Sequence, residues 1–502
     1  MYEGRQGATA RVTAEADAAS RREGLRANAI GLPQVLFQSI TSMAPASAVA
    51  FSLGAAIPFA GGSLPLAVIV ALVTCTFIAA NIAQLAVHMP SAGGFYTYVG
   101  RSLGTRMGFL AGWIFTLGQP LIVPLQLLVI GPVVSSTLAT YFHIDTPWWL
   151  WALVGAALVF ALTYFGVRLS TDTSVVLGVI EILIFLALAV SLIIHVGGHN
   201  TGAVFTPRYS QERGLGGWYG VLHGMIFAFL AFAGFEAAAP LAEETAEPRR
   251  NIPRAIVSAA VLIGLFYVLC AYAGVLGWGL NRLGTYGADP NPWATLGQGV
   301  WGIFSLVVVF AILNSAVANT NAGVNAATRV IYAMGRAGAL PAPLATIHRA
   351  HRTPYVAILL TMVVGVILTL WAGLVYGPTA AFGLIGTIIT IVFLLLYLAA
   401  CLSVIAYYRR ERPDEFSVWR HILVPLIPSV ILLFPLGAQF YPQPAFPYNL
   451  AGPICAAWLV VGIVVVVYLS ARHPAALTNG ARIFVDDSAN EDSANEGRQS
   501  RE

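Results

Sequence analysis

Charge is scarce in this chain. Only 10% of its 502 residues are charged, and 58% are hydrophobic. A soluble domain usually carries about 25% charged residues. The deficit runs along the whole length and is not confined to one segment, so most of the chain belongs in lipid. Lysine is missing altogether: all 26 basic residues are arginine, a bias to which no mechanism attaches. Cysteine is sparse too. Cys75, Cys270, Cys401 and Cys455 each lie inside an apolar run, which excludes a disulfide framework and a CxxC metal pattern. They read as small apolar fillers between helices. No polar stretch between apolar runs is long enough to build a soluble catalytic domain. Nor is there a His/Asp cluster or a Ser–His pair at depth, as a membrane-embedded enzyme would need. The chain is read as no enzyme, with no metal and no cofactor.

What is abundant is apolar sequence in long runs. A spanning helix needs ~20 apolar residues. Twelve segments qualify, at 33–59, 64–88, 108–139, 148–166, 174–196, 217–241, 255–280, 298–322, 354–375, 380–407, 422–440 and 450–471. The third contains Pro120, Pro124 and Pro132 and is therefore tilted or bent. Arginine placement orients the set. With the N-terminus inside, Arg208, Arg213 and Arg282 fall in outside loops, and the other arginines fall in cytoplasmic loops and tails. Both termini are then cytoplasmic. Residues 1–29 are polar and Arg-rich without an apolar h-region, so they read as a disordered tail and not a signal peptide. Residues 474–502 carry a tandem DSANE repeat, Asp487 to Glu491 and Asp492 to Glu496. They read as a second disordered tail.

Two spans are interrupted from within. The first reads SITSMAPASAVAF, Ser39 to Phe51, with Ser42, Pro45 and Ser47 at mid-membrane depth. Pro45 has no N–H, and its ring opposes the carbonyl one turn back. The sixth reads FAFLAFAGFEAAAPLAEE, Phe227 to Glu244, with Gly234, then Glu236, then Pro240 one turn on. Lipid satisfies no backbone group, so each break must line protein or a water-filled cavity. Paired breaks in corresponding halves point to an inverted-repeat transporter with a midplane site. Freed N–H groups attract a carboxylate, and freed carbonyls receive an ammonium group or a cation. A zwitterion meets both demands.

Four stretches carry a resemblance. They are SMAPASA (Ser42 to Ala48), MPSAGGFYTYVGRSLG (Met89 to Gly104), GFEAAAPLAEETAEPRRNIPRAI (Gly234 to Ile256) and NAATRVIYAMGRAGALP (Asn325 to Pro341). In these the chain resembles the amino acid–polyamine–organocation family of permeases. The resemblance implies an all-α polytopic membrane protein of twelve transmembrane helices. Its five-plus-five inverted repeat would have discontinuous helices 1 and 6. The core would span 30–410, with peripheral spans 11 and 12 at 411–473. It implies a substrate site walled by spans 3, 8 and 10. There Ser42, Met43, Ala44, Pro45, Ala46 and Ser47 would meet a substrate carboxylate, and Phe232, Ala233 and Gly234 would face the amine and side chain. It implies amino acid or amine transport across the plasma membrane by alternating access, coupled to a proton or to a counter-substrate. Polyamine or ethanolamine import, amino acid exchange and non-transporting nutrient sensing are the alternatives. Leu230 stands where the arginine-exchanging relatives have a gating Trp, which argues against an arginine–agmatine exchanger.

Polar residues at depth complete the set. Glu181, in VVLGVIEILIFL of the fifth span, must be neutral, paired or facing an aqueous cavity. Within the resemblance it occupies a position where some relatives carry a lysine that mimics a bound sodium ion. Here the charge is reversed, which sets the lysine mechanism aside; Glu181 is read as a proton-coupling group or as a partner for a cationic substrate. Glu236 is the second buried acid, placed to hold the sixth-span break by accepting N–H bonds. Phe229 and Phe232, three apart, share a helix face and can form a lid or a cation–π wall. Gln119, Gln126, Asn314, Ser315 and Asn319 are candidates to line the pathway. His88, His195 and His351 read as interfacial, and His223 has no partner legible in the sequence. Glu243, Glu244 and Glu247, just before Arg249, Arg250 and Arg254, can form a charge network with Arg329 and Arg336 that closes the inward face.

Overall fold

The computed structural model describes residues 30–91, 93–165, 171–348, 351, 353–441 and 444–479. The expected N-terminal tail, the repeat-bearing tail beyond 479, and Arg168, Arg349 and Arg352 lie outside the described residues. Pro474–Asn479, at the start of the expected C-terminal tail, is a short helix. Among the described residues there is no strand, and one parallel bridge joins Ile30 to Thr245.

Eleven helices among the described residues are long and apolar enough to cross a membrane. The segment counted fourth in sequence, Trp148–Tyr164, is a shorter apolar helix of 17 residues. At 1.5 Å per residue it is about 25 Å long. The third span is bent. It runs as Thr105–Gly118 and then Ile122–Phe142, with a turn between them. Pro120 lies in that turn and Pro124 in the first turn of the helix after it, and neither can donate into a continuous ladder. The other long spans are Leu64–His88, Thr171–Val196, Pro248–Trp278, Leu306–Arg336, Tyr355–Tyr376, Pro378–Arg410, Trp419–Ala438 and Ala451–Arg472.

The sixth span sits at the centre of the bundle. The most apolar stretch of Gly214–Ala242 is 100% buried, against 28% for that of Tyr448–Arg472. The outer helices instead turn Val460, Val464 and Val467 outward, as lipid contact requires. Tail-on-tail contact between helices gains little where lipid is equally apolar, so close approach depends on small residues. Gly264 of the seventh span lies against Leu72 of the second and Phe232 of the sixth, and Gly118 of the third lies against Val392 of the tenth.

The ends of the bundle differ. At one end residues 197–217 fold as successive short turns across the first and second spans. Ser63 Oγ donates to Thr206 O (2.7 Å) and accepts from Tyr209 N (3.1 Å), while Gln211 N donates to Phe59 O (3.1 Å). His223 does find a partner here: its Nδ1 stands 2.6 Å from a Glu212 carboxylate oxygen. The arginine-rich end is built from charged connections, and Arg249 Nη1 caps the second span at Val87 O (3.1 Å).

Candidate functional site

The first-span helix Leu32–Ser42 stops where the sequence places Pro45. Met43 is still near helical geometry, but Ala44 turns left-handed, at φ 49° and ψ 61°, and Pro45 opens the next turn. That crossing frees the carbonyls of Ser42 and Met43 and leaves Thr41 O only the Ala44 N–H, at 3.1 Å. Side chains from other spans collect them. Asn319 Nδ2 donates to Ser42 O (2.6 Å) and to Thr41 O (3.2 Å). The Tyr267 hydroxyl lies 2.5 Å from Met43 O and 3.0 Å from Ala231 O, bridging the first and sixth spans. Asn319 is itself aimed by Gln126, whose Nε2 donates to Asn319 Oδ1 (2.9 Å). Gln126 Oε1 accepts from the Ser47 hydroxyl (2.8 Å). A closed chain of hydrogen bonds therefore runs from Ser47 through the third and eighth spans back to Ser42.

The sixth-span helix Trp218–Phe232 ends at Ala233, and Gly234 adopts φ 115° before a tight helical segment over Phe235–Glu244. Glycine is required here. Its φ lies in the left-handed region, and a Cβ would run into the Ser42 carbonyl. Glu236 holds the turn. Its Oε2 accepts from Gly234 N (3.2 Å) and from the Tyr397 hydroxyl (2.9 Å). Ala238 N donates to Ser39 Oγ of the first span (3.2 Å). The two breaks thus lie side by side, with Tyr267 between them.

Glu181 is 1% exposed and receives Asn314 Nδ2 at 2.6 Å. The fifth span packs on the Pro45–Ser47 turn, and the Ala46 N–H and Ser315 hydroxyl lie next to the same carboxyl. One buried hydroxyl at this level, that of Ser42, has no hydrogen-bond partner. Unused polar capacity of that kind is uncommon in a closed core.

The residues singled out in sequence divide into two groups. Ser42 to Ser47, Glu181, Asn314, Ser315, Asn319 and Gln126 come together around the first break. Glu236 and Gln119 lie on another side, lining a small cavity with Tyr98, Phe115 and Pro240. Gln119 is therefore not a companion of Asn319. Phe229 and Phe232 are both buried. The Phe232 ring meets Tyr267 edge-on, with centroids 5.4 Å apart, and so backs the break from the seventh-span side. Sequence reasoning missed Tyr267 and Tyr397. The available signal was a tyrosine inside an apolar run, whose hydroxyl needs a partner when buried.

A cavity of about 330 Å³ opens beside the first break. It reaches from Glu244 and Arg329, past Gln38, to Thr41 and Asn314. Arg329 Nε donates to Glu244 Oε1 at 2.9 Å. This is a cross-span member of the expected charge network. Glu247 pairs with Arg250, three residues on, at 3.3 Å on the exposed surface.

These features can be set beside known proteins. The family profile described as amino acid permease matches residues 34–476. The chain belongs to the amino acid permease family. Among its relatives is the branched-chain amino acid permease BcaP of Bacillus subtilis, 26% identical over 82% of this chain and 87% of that protein. The L-asparagine permease of Salmonella typhimurium is 28% identical over 62% of this chain and 63% of that protein. In fold the permease is similar to the manganese transporter of Eremococcus coleocola, with a TM-score of 0.58 at 13% identity, over 89% of this chain and 95% of that one. The permease is thus a multi-pass membrane protein whose substrates are amino acids, and it is not an enzyme.

Proposed function

We propose that this permease is a secondary active transporter. It moves amino acids across the plasma membrane by alternating access, with both termini cytoplasmic and a proton carried through Glu181. The observation that carries the reading is the pair of adjacent breaks. Broken helices at matched positions in two halves are how such transporters build a midplane site from backbone. Residues 42–47 offer backbone and hydroxyl groups to a carboxylate, and the carbonyls around Phe232, Ala233 and Gly234 receive an ammonium group. Spans one to ten form the working core and spans eleven and twelve flank it.

The coupling assignment follows from where Glu181 sits. An ionised carboxyl this deep is costly unless paired, and its neighbours are neutral groups: Asn314, Ser315 and the Ala46 N–H. A proton taken up by Glu181 removes a negative charge from the place where a substrate carboxylate arrives. Proton and substrate then favour each other's binding.

The test is uptake into proteoliposomes with and without an inward proton gradient. The panel holds branched-chain amino acids, L-asparagine, polyamines and ethanolamine. Gradient-driven uptake of an amino acid is expected. Glu181→Gln should retain substrate binding and lose the dependence on the gradient. Amine uptake alone transfers the site to polyamine or ethanolamine import, and flux that requires internal substrate makes the protein an exchanger. Binding without flux makes it a sensor. No binding and no uptake across the panel, from folded protein, overturns the reading.

A further inference from the structure

The inner cavity carries a recognition set that shares only Asn314, the donor to Glu181, with the first break. Two helices face each other across it. The first span contributes the carboxamide of Gln38, and the eighth contributes those of Asn314, Asn321 and Asn325. Those three lie seven and four residues apart, a spacing that keeps them on one helix face. At the end away from Asn314 the same cavity is bounded by Glu244 and Arg329. The two charges are joined by one hydrogen bond, Nε to Oε1 at 2.9 Å, and their side chains are 18% and 20% exposed. Arg329 Nη1 also donates to Asn325 O (3.2 Å), which ties the guanidinium to the carboxamide face.

We propose that this cavity is a second substrate station, selective for zwitterionic α-amino acids with a hydrogen-bonding side chain. The inference rests on the transport reading above and adds a site to it. The chemistry is complementary. Arginine presents a planar fork of donors to a carboxylate, and the Glu244 carboxylate accepts from an ammonium group. Carboxamides offer a donor and an acceptor each, which suits an amide or hydroxyl side chain and leaves a purely aliphatic one unmatched. A zwitterion can separate Glu244 from Arg329 without leaving either charge unpaired. Bare water gives that separation much less compensation in a partly buried place. A substrate leaving the breaks would therefore open the inner charge pair itself. The volume, about 330 Å³, falls within the range of small-ligand sites.

The probe is radiolabelled L-asparagine, with L-leucine as the comparator, bound to the purified full-length chain at equilibrium. Two asparagines per chain are expected at saturation, against one leucine. Asn321→Leu should weaken the second asparagine site roughly tenfold and leave the first unchanged. Gln38→Leu, on the facing helix, should do the same and serves if Asn321→Leu fails to fold. One asparagine per chain in the unaltered protein, with uptake intact, overturns the second station and spares the transport reading. So does a second site indifferent to both substitutions, or one that takes leucine equally well. No asparagine binding overturns the second station too, and absence of binding and uptake across the whole transport panel sinks both.

Discussion

The two breaks are made and held in opposite ways. The sixth-span break is local. Gly234 makes the turn and Glu236, two residues on, accepts its N–H; Tyr397 bonds Glu236 itself, and the other spans touch only the flanks, Tyr267 at Ala231 O and Ser39 at Ala238 N. The first-span break is held from a distance. Its partners are Tyr267, 224 residues away from Met43, and Asn319, 277 away from Ser42. It also contains a left-handed alanine, a conformation that costs roughly 1–2 kcal/mol in a non-glycine residue. A break that carries its own support keeps its shape when neighbouring helices move. A break held by three other spans changes shape whenever those spans do. We infer that the sixth span acts as the fixed half of the proposed site and the first as the responsive half.

Substitutions at the fixed half should cost the most stability. Gly234→Ala puts a Cβ into the Ser42 carbonyl at a φ that alanine avoids. It is expected to cost about 3 kcal/mol or more, read as a steep fall in melting temperature or loss of folded protein in detergent. An unchanged melt would mean that the sixth break is not the rigid element. Glu236→Ala leaves the Gly234 N–H and the Tyr397 hydroxyl unpaired and should cost about 3 kcal/mol. Glu236→Gln keeps an acceptor oxygen and should stay within about 1 kcal/mol of the parent. Equal losses in the two variants would show that charge, and not acceptance, is what matters there.

The responsive half should show the reverse pattern. Tyr267→Phe removes the bridge between Met43 O and Ala231 O. It should lower stability by about 1 kcal/mol and yet change the uptake rate about tenfold. A loss of stability without a change in rate would make Tyr267 ordinary packing. Ala44→Gly is the smallest expected effect, a gain of about 1 kcal/mol from relief of the left-handed alanine, measured by the same melt.

The same contrast explains what could be read in the sequence. Apolar runs give spans because lipid imposes length and composition on each helix separately. Pro45 and Gly234 mark the breaks because proline and glycine act on their own backbone. The Glu236 contact was accessible for the same reason, being two residues from its partner. The grip on the first break was not, because Tyr267, Gln126 and Asn319 reach it only after three other spans have packed. Gln119 and Gln126 look alike in sequence, seven residues apart in the third span. The bend at Pro120 lies between them, and the fold sends one to Glu236 and the other to Asn319. The inner charge pair shows the limit from the other side. The acids and arginines were visible as a set, but which of them cross between spans depended on where the sixth span comes to rest.

The most direct measurement is a structure of the permease with bound substrate. The account predicts the carboxylate within hydrogen-bond distance of the backbone or hydroxyls of residues 42–47, the ammonium group on the carbonyls at 232–234, and the Asn319–Ser42 contact altered while the Glu236–Gly234 contact persists. A substrate seated elsewhere, with both breaks still closed on each other, would contradict it.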